Sequence, residues 1–231
     1  MNNIVVLSPH LDDAALSCGE HIFFWRKNGI SVSVFTVFCR FTAPITDYAK
    51  TLLSQGDFSS IEAYSNIRRR EDVSAMRFMD VSEKHLFHID AAFRSFQRRP
   101  LYKDEGAVFS GSVSPHDRQL SFELRREFAT LIRTYDQVII PFGIGSHIDH
   151  LLVRQCSEAV FPQRVIRYYL DYPYSSFLKR WNISNIKQLL RMRLLTSKIP
   201  TSKKADLLRC YASQREIFSR RRFYIECLFS F

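Results

Sequence analysis

The sequence predicts a single α/β domain in which a mostly parallel sheet carries helices on both faces. Three observations support this. Short β-branched apolar runs alternate along the chain with stretches of helical period. The runs lack the polar alternation of half-exposed strands, as strands buried on both sides do. The two clusters richest in His and Asp directly follow such runs, where open α/β sheets hold their sites.

The elements follow in order. Ile4 to Leu7 make a buried strand over 3–8, after which Ser8-Pro9 turns the chain. A helix over 13–28 follows, because Ala14, Ala15 and Leu16 propagate readily and Ile22, Phe23 and Trp25 form an inward face. Gly29 stands where that helix should stop. Further strands are expected at 31–38, 84–89, 136–141 and 164–170, with helices at 60–80, 119–135 and 148–160. This order implies right-handed crossovers and a Rossmann-like architecture. Two long loops, 40–59 and 90–118, both follow strand carboxyl ends and should rim one mouth.

At 231 residues the chain suits one domain with a sizeable core, which the twenty Phe help to fill. Apolar runs are too short to span a bilayer. The first strand begins almost at once, which leaves no room for a signal peptide. Five dispersed cysteines, without a Cys-x-x-Cys pair, suit reduced thiols and a cytoplasmic location.

The chemistry concentrates in two motifs. Ser8-Pro9-His10-Leu11-Asp12-Asp13 places one imidazole and two carboxylates within four positions of the first strand's end. Read alone, it fits equally an N-cap carboxylate beside a surface His. The second motif, Gly145-Ser146-His147-Ile148-Asp149-His150, follows the run Val138-Ile139-Ile140. Zinc accepts imidazole and carboxylate, and catalytic sites use three protein ligands with one position open. Together the clusters supply such a set, with Asp149 either a ligand or a partner that orients an imidazole.

These motifs resemble the signatures of the PIG-L or LmbE-like N-acetylglucosamine deacetylases, a Pro-His-x-Asp-Asp strand end and a late His-x-Asp-His. The resemblance implies that His10, Asp13 and His150 bind zinc and that Asp12 is the general base. It also implies that His147 stabilises the oxyanion and that Asp149 orients His147. Weaker echoes lie in Arg69-Arg70-Glu71, in Tyr168 through Tyr174 with its acidic residue and Pro-Tyr, and in Tyr211-Ala212-Ser213-Gln214. Many members carry Glu after the Asp pair, whereas this chain has Ala14. The implied partner is a small N-acetylated amino sugar or its conjugate.

The chemistry itself supports a hydrolase. An unactivated amide needs a strong nucleophile, and zinc lowers the pKa of bound water to about 7. Asp12 is placed to take that water's proton. The departing amine must be protonated, and the acid is left open between Asp12 and His147. Ferrous iron suits the same donors. Asp90, Arg94 and Arg69 are candidate substrate contacts; the first two read equally as an N-cap and a solvated Arg. His85, His88 and His116 lack a partner motif and are assigned to structure or surface.

The formal charge of +10 concentrates in a basic C-terminal extension from about residue 177, through Lys179-Arg180, Lys203-Lys204 and Arg220-Arg221-Arg222. No nucleic-acid motif accompanies it. The mixture of Leu, Ile, Trp and Met with Lys and Arg over 177–199 reads as a solvated helical face, or as a peripheral contact with an anionic membrane. A further reading brings Lys179, Arg180, Arg191 and Arg193 near a phosphate-bearing substrate. Three function classes follow: a zinc-dependent N-deacetylase, a metal-dependent amidase acting on a non-sugar amide, and a non-catalytic binding protein using the basic region.

Overall fold

A computed structural model describes residues 3–43, 46–56, 58–176, 183–198, 201–214 and 226–231. Lys179, Arg180 and Arg220 to Arg222 lie outside the described residues.

The main sheet has the order β3-β2-β1-β6-β7-β9-β8. Its parallel part comprises β1 (Asn3–Ser8), β2 (Ser31–Arg40), β3 (Ser82–Ile89), β6 (Gln137–Pro141) and β7 (Ile166–Tyr169), the five strands expected from the sequence. Two further strands extend it antiparallel at one edge, β9 (Glu226–Ser230) beside β7 and β8 (Arg193–Lys198) outermost. The expected helices are α1 (Asp13–Lys27), α3 (Ile61–Phe78), α5 (Arg118–Ala129) and α6 (Ile148–Val160). Short turns beyond Ala129 end α5 earlier than periodicity alone indicated.

The long loops hold more structure than their composition suggested. The first contains α2 (Asp47–Gln55), capped by Thr46, whose hydroxyl accepts the Ala49 N–H and donates to Ala92 O. The second contains a small hairpin of β4 (Ser95–Phe96) and β5 (Arg99–Pro100), then α4 (Glu105–Val108). The C-terminal part adds α7 (Ile183–Leu189) and α8 (Ser202–Arg209). α2 packs a short apolar stripe, Tyr48, Ala49, Leu52 and Leu53, against Phe93, whereas the single turn of α4 buries Val108 and is too short for a helical period to show.

Successive side chains of a strand point to opposite faces, and β1 shows that both faces are buried. Val5 and Leu7 join α5 and α6 in one core, with Val138, Ile140, Phe128 and Leu152. Ile4 and Val6 join α1, α3 and α8 in the other, with Ile139, Ile22, Met76 and Leu207. Gly29, at φ +74°, ends α1 as expected, and the Ile30 N–H reaches back to Trp25 O. No described helix is long and apolar enough to cross a membrane.

The order places the site. β1 leads through α1 to β2 on one side, whereas its other neighbour is β6, which leads through α6 to β7. The order in which strands are added therefore reverses between the parallel neighbours β1 and β6, and a crevice opens beyond their carboxyl ends at such a point. The two His/Asp motifs leave those strand ends.

Candidate metal centre

His10 lies on the turn between β1 and α1. Its backbone N–H donates to Asp13 Oδ2 at 2.8 Å, and its ring Nδ1 stands 3.1 Å from the same oxygen. His150, in the first turn of α6, brings Nε2 to 3.3 Å from Asp13 Oδ2. The far nitrogen of each ring faces a second carboxylate. His10 Nε2 is 3.1 Å from Asp149 Oδ2, and His150 Nδ1 is 2.6 Å from Asp171 Oδ1. Imidazoles that bind metals commonly have their other nitrogen oriented this way.

The donor atoms of His10, Asp13 and His150 all lie within 4.8 Å of one another. His150 Nε2 is fully buried and makes no hydrogen bond, which a divalent ion would correct. His10, His147 and Asp149 are also grouped closely. That set fits less well, because the Asp149 carboxylate is already engaged by the Ala91 N–H and by Arg94. The three residues proposed from the motifs as ligands are thus brought together.

Asp149 departs from its expected role. Its carboxylate turns to His10, Ala91 and Arg94, not to His147. What orients His147 is the Asp149 backbone N–H, which donates to His147 Nδ1 at 3.1 Å because His147 caps α6. A neutral ring with Nδ1 accepting carries its proton on Nε2. Burial lowers the His147 pKa well below the ordinary value, and the neighbouring His10 adds to that shift, so the ring is neutral. For His10 and His150 burial acts downward too, but the adjoining carboxylates prevail; His150 is raised to about 9.

Asp12 lies at the head of α1 and lines a cavity of about 300 Å³ together with His10, Asp13, Asp90 and His147. Burial pushes its carboxyl above the ordinary range, against the pull of Arg68, whose Nη2 donates to Asp12 Oδ2 at 3.1 Å. Leu11, Tyr64 and Phe109 supply apolar wall.

The substrate-contact candidates divide. Asp90 lines the cavity while its Oδ1 accepts the Ala92 N–H. Arg94 is buried behind the centre, ion-paired with Asp149 and 3.3 Å from Asp117, and does not line the cavity. Arg69 points away, bonded to Asn66 and set over the Phe87 ring. The preceding Arg68 faces inward instead, because the buried stripe of α3 runs Tyr64, Arg68, Glu71, Asp72 and Ala75. That helical phase was readable in the sequence and would have selected Arg68. Asp171 was visible only as the acid of the Tyr168–Tyr174 run. Of the basic residues placed near a phosphate, Arg191 and Arg193 are exposed on or beside edge strand β8 and do not line the cavity. His85 pairs with Asp72, His88 with Glu127, and His116 stacks on Phe96, so all three are structural or surface residues.

Solved structures share this fold. The deacetylase–bog complex of the teicoplanin biosynthesis pathway superposes with a TM-score of 0.76 at 23% identity, covering 99% of this chain and 97% of that one. The A40926 pseudoaglycone deacetylase Dbv21 gives 0.69 at 22%, covering 98% and 96%. GalB, a 4-carboxy-2-hydroxymuconate hydratase from Pseudomonas putida, gives 0.56 at 14%, covering 100% and 95%, so the fold also serves other chemistry. The 2'-N-acetylparomamine deacetylase of Niallia circulans is 28% identical over 186 residues, 73% of this chain, which spans 66% of that relative's length. The family model described as PIG-L: GlcNAc-PI de-N-acetylase matches residues 5–161. That match takes in both His/Asp motifs and more than half of the sequence, and the chain belongs to the PIG-L family.

Proposed function

We propose that this protein is a metal-dependent hydrolase that removes the acetyl group from an N-acetylated amino sugar or its conjugate. The observation that carries this reading is the orphan His150 Nε2 facing Asp13 and His10, with an unliganded carboxylate, Asp12, beside them in the cavity. Family membership and the deacetylase activity of the relatives agree with it. Zinc is the proposed metal, on a donor set of two imidazoles and one carboxylate. Ferrous iron shares that preference.

Held by His10, Asp13 and His150, the ion would acidify water and polarise the amide carbonyl. The remaining work falls to the chain's own groups. Asp12 accepts a proton from the attacking water as the water oxygen bonds to the carbonyl carbon. Its raised pKa suits it to that task. His147 donates from Nε2–H to the developing oxyanion. It cannot be the base, because Nδ1 is occupied by the Asp149 N–H and Nε2 already bears a proton. Asp12 therefore also returns the proton to the nitrogen as the C–N bond breaks, releasing acetate and the free amine. Asp90 and Arg68, at the cavity wall, are assigned to the sugar hydroxyls.

Two measurements test this. Elemental analysis should find a divalent metal in the parent and none in folded His150→Ala; equal metal in both would refute the ligand assignment. Metal-loaded parent should release acetate from at least one member of a panel of N-acetyl amino sugars and glycosides. Release only from non-sugar amides would move the protein to another substrate class.

A further inference from the structure

The basic C-terminal segment is not wholly a solvated face. Lys204, on α8, is 2% exposed and its ammonium is seated against α1. It donates to Ala15 O, to Leu16 O at 2.9 Å and to Glu226 Oε1. The other Glu226 oxygen accepts the backbone N–H of Glu20 at 2.9 Å and of His21 at 3.3 Å. In an α-helix Leu16 O and the Glu20 N–H are partners of each other. Here each is also held by a side chain from outside the helix.

Gly19 makes room for this. A Cβ there would lie 2.8 Å from Leu207 Cδ2 and 3.0 Å from Lys204 Nζ, so only a glycine admits α8 so closely. The gripped carbonyls lie just beyond Asp12 and Asp13. At its front the same turn is held by Ser8, whose Oγ accepts the Ala14 N–H at 3.0 Å, and the Leu16 N–H bonds to Asp12 O at 2.8 Å. The turn bearing the metal ligand and the base is thus clamped from both ends.

We propose that Lys204 and Glu226 are positioning residues that fix the first turn of α1, and so the approach of Asp12 and Asp13 to His150. A buried ion pair can also serve stability alone, and the test separates the two. Lys204→Met keeps the length of the side chain and removes the ammonium. Glu226→Gln keeps an acceptor for the Glu20 and His21 N–H groups and removes the charge that Lys204→Met leaves unpaired. The single Lys204→Met variant should lose both melting temperature and kcat, with little change in KM. The double variant should recover most of the melting temperature while kcat stays about ten- to a hundred-fold below the parent, the scale of a small misplacement.

Cobalt(II) loading supplies a readout independent of turnover. The d–d absorption of the double variant should differ from the parent's, because Asp13 has shifted. Return of kcat to the parent's value together with the melting temperature, or a parent-like cobalt spectrum, would reduce the pair to a structural role. If the double variant does not fold, Gly19→Ala serves, since it raises helix propensity while displacing the ammonium. It should stay folded yet lose kcat and alter the cobalt spectrum; parent-like values would overturn the proposal. The kinetic arm rests on the deacetylase reading, and the cobalt arm does not. A parent that deacetylates nothing, with a spectrum that still responds, would sink that reading and leave the positioning role standing.

Discussion

Asp12 and Glu226 are carboxylates held against the same helix, each with a cation beside it, and their acidities move in opposite directions. Burial pushes both carboxyls up. At Glu226, Lys204 and His21 outweigh burial and hold the group below its ordinary value. At Asp12, Arg68 and the nearby His10 oppose burial but do not outweigh it, the adjacent Asp13 adds repulsion, and the pKa rises. Glu226 is surrounded by donors and can only anchor. Asp12 keeps lone pairs facing the cavity and a raised affinity for a proton. The difference lies in how completely the surroundings satisfy each carboxylate, since a fully bonded group has little left to offer a substrate.

The strongest way to break this comparison is Asp12→Asn. The amide preserves shape and the contact with Arg68 but cannot act as a base. We expect metal and fold to be retained and kcat to fall by at least about a hundred-fold. Near-parent turnover in metal-replete protein would remove Asp12 from the mechanism. Asp171→Asn sharpens the comparison from the metal side. Asp171 Oδ2 accepts the Gly143 and Ile144 N–H groups at 2.7 and 2.9 Å, while Oδ1 holds His150. Metal affinity, measured by chelator competition, should weaken about ten- to a hundred-fold; an unchanged affinity would mean that His150 needs no orienting carboxylate.

The smallest effect on turnover is expected from Glu226→Gln, where Lys204 remains on its carbonyls. Its signature is in stability. Because the folded pKa lies below the ordinary 4.5, ionised Glu226 stabilises the fold above that pH, and the contribution fades as pH falls through the folded value. Urea unfolding of Glu226→Gln should therefore show a loss of about 3 kcal/mol at neutral pH that narrows in acid. A constant difference across pH would mean that the charge of Glu226 is irrelevant.

The five parallel strands, the four main helices and the two His/Asp motifs that supply the proposed ligands were all legible in the sequence. Each rests on short-range information: a β-branched run, a helical stripe, a strand-end cluster. What depended on partners distant in the chain was not legible. Lys204 reads as one more basic residue of a charged tail, and only the approach of α8 at Gly19 shows it to be buried. Arg69 is a different case: it comes from the Arg69-Arg70-Glu71 resemblance, and the helical phase of that same stretch, readable locally, puts Arg68 on the side that faces the site. Asp149 was assigned to the imidazole two residues before it, whereas its carboxylate crosses to His10, 139 positions away.

The sequence by itself determined which chemistry this chain carries, because imidazoles and carboxylates at two strand ends define a donor set wherever they meet. Tertiary structure decided how they meet. Parallel pairing of β1 with β6, at the point where the order of strand addition reverses, brings the two strand ends side by side. Contacts between distant segments then give His10 and His150 their second carboxylates, Asp149 and Asp171, while His147 takes its partner locally from the Asp149 N–H. The His10 and His150 contacts depend on distances of about 3 Å between groups far apart in the chain, and no local pattern of residues encodes them.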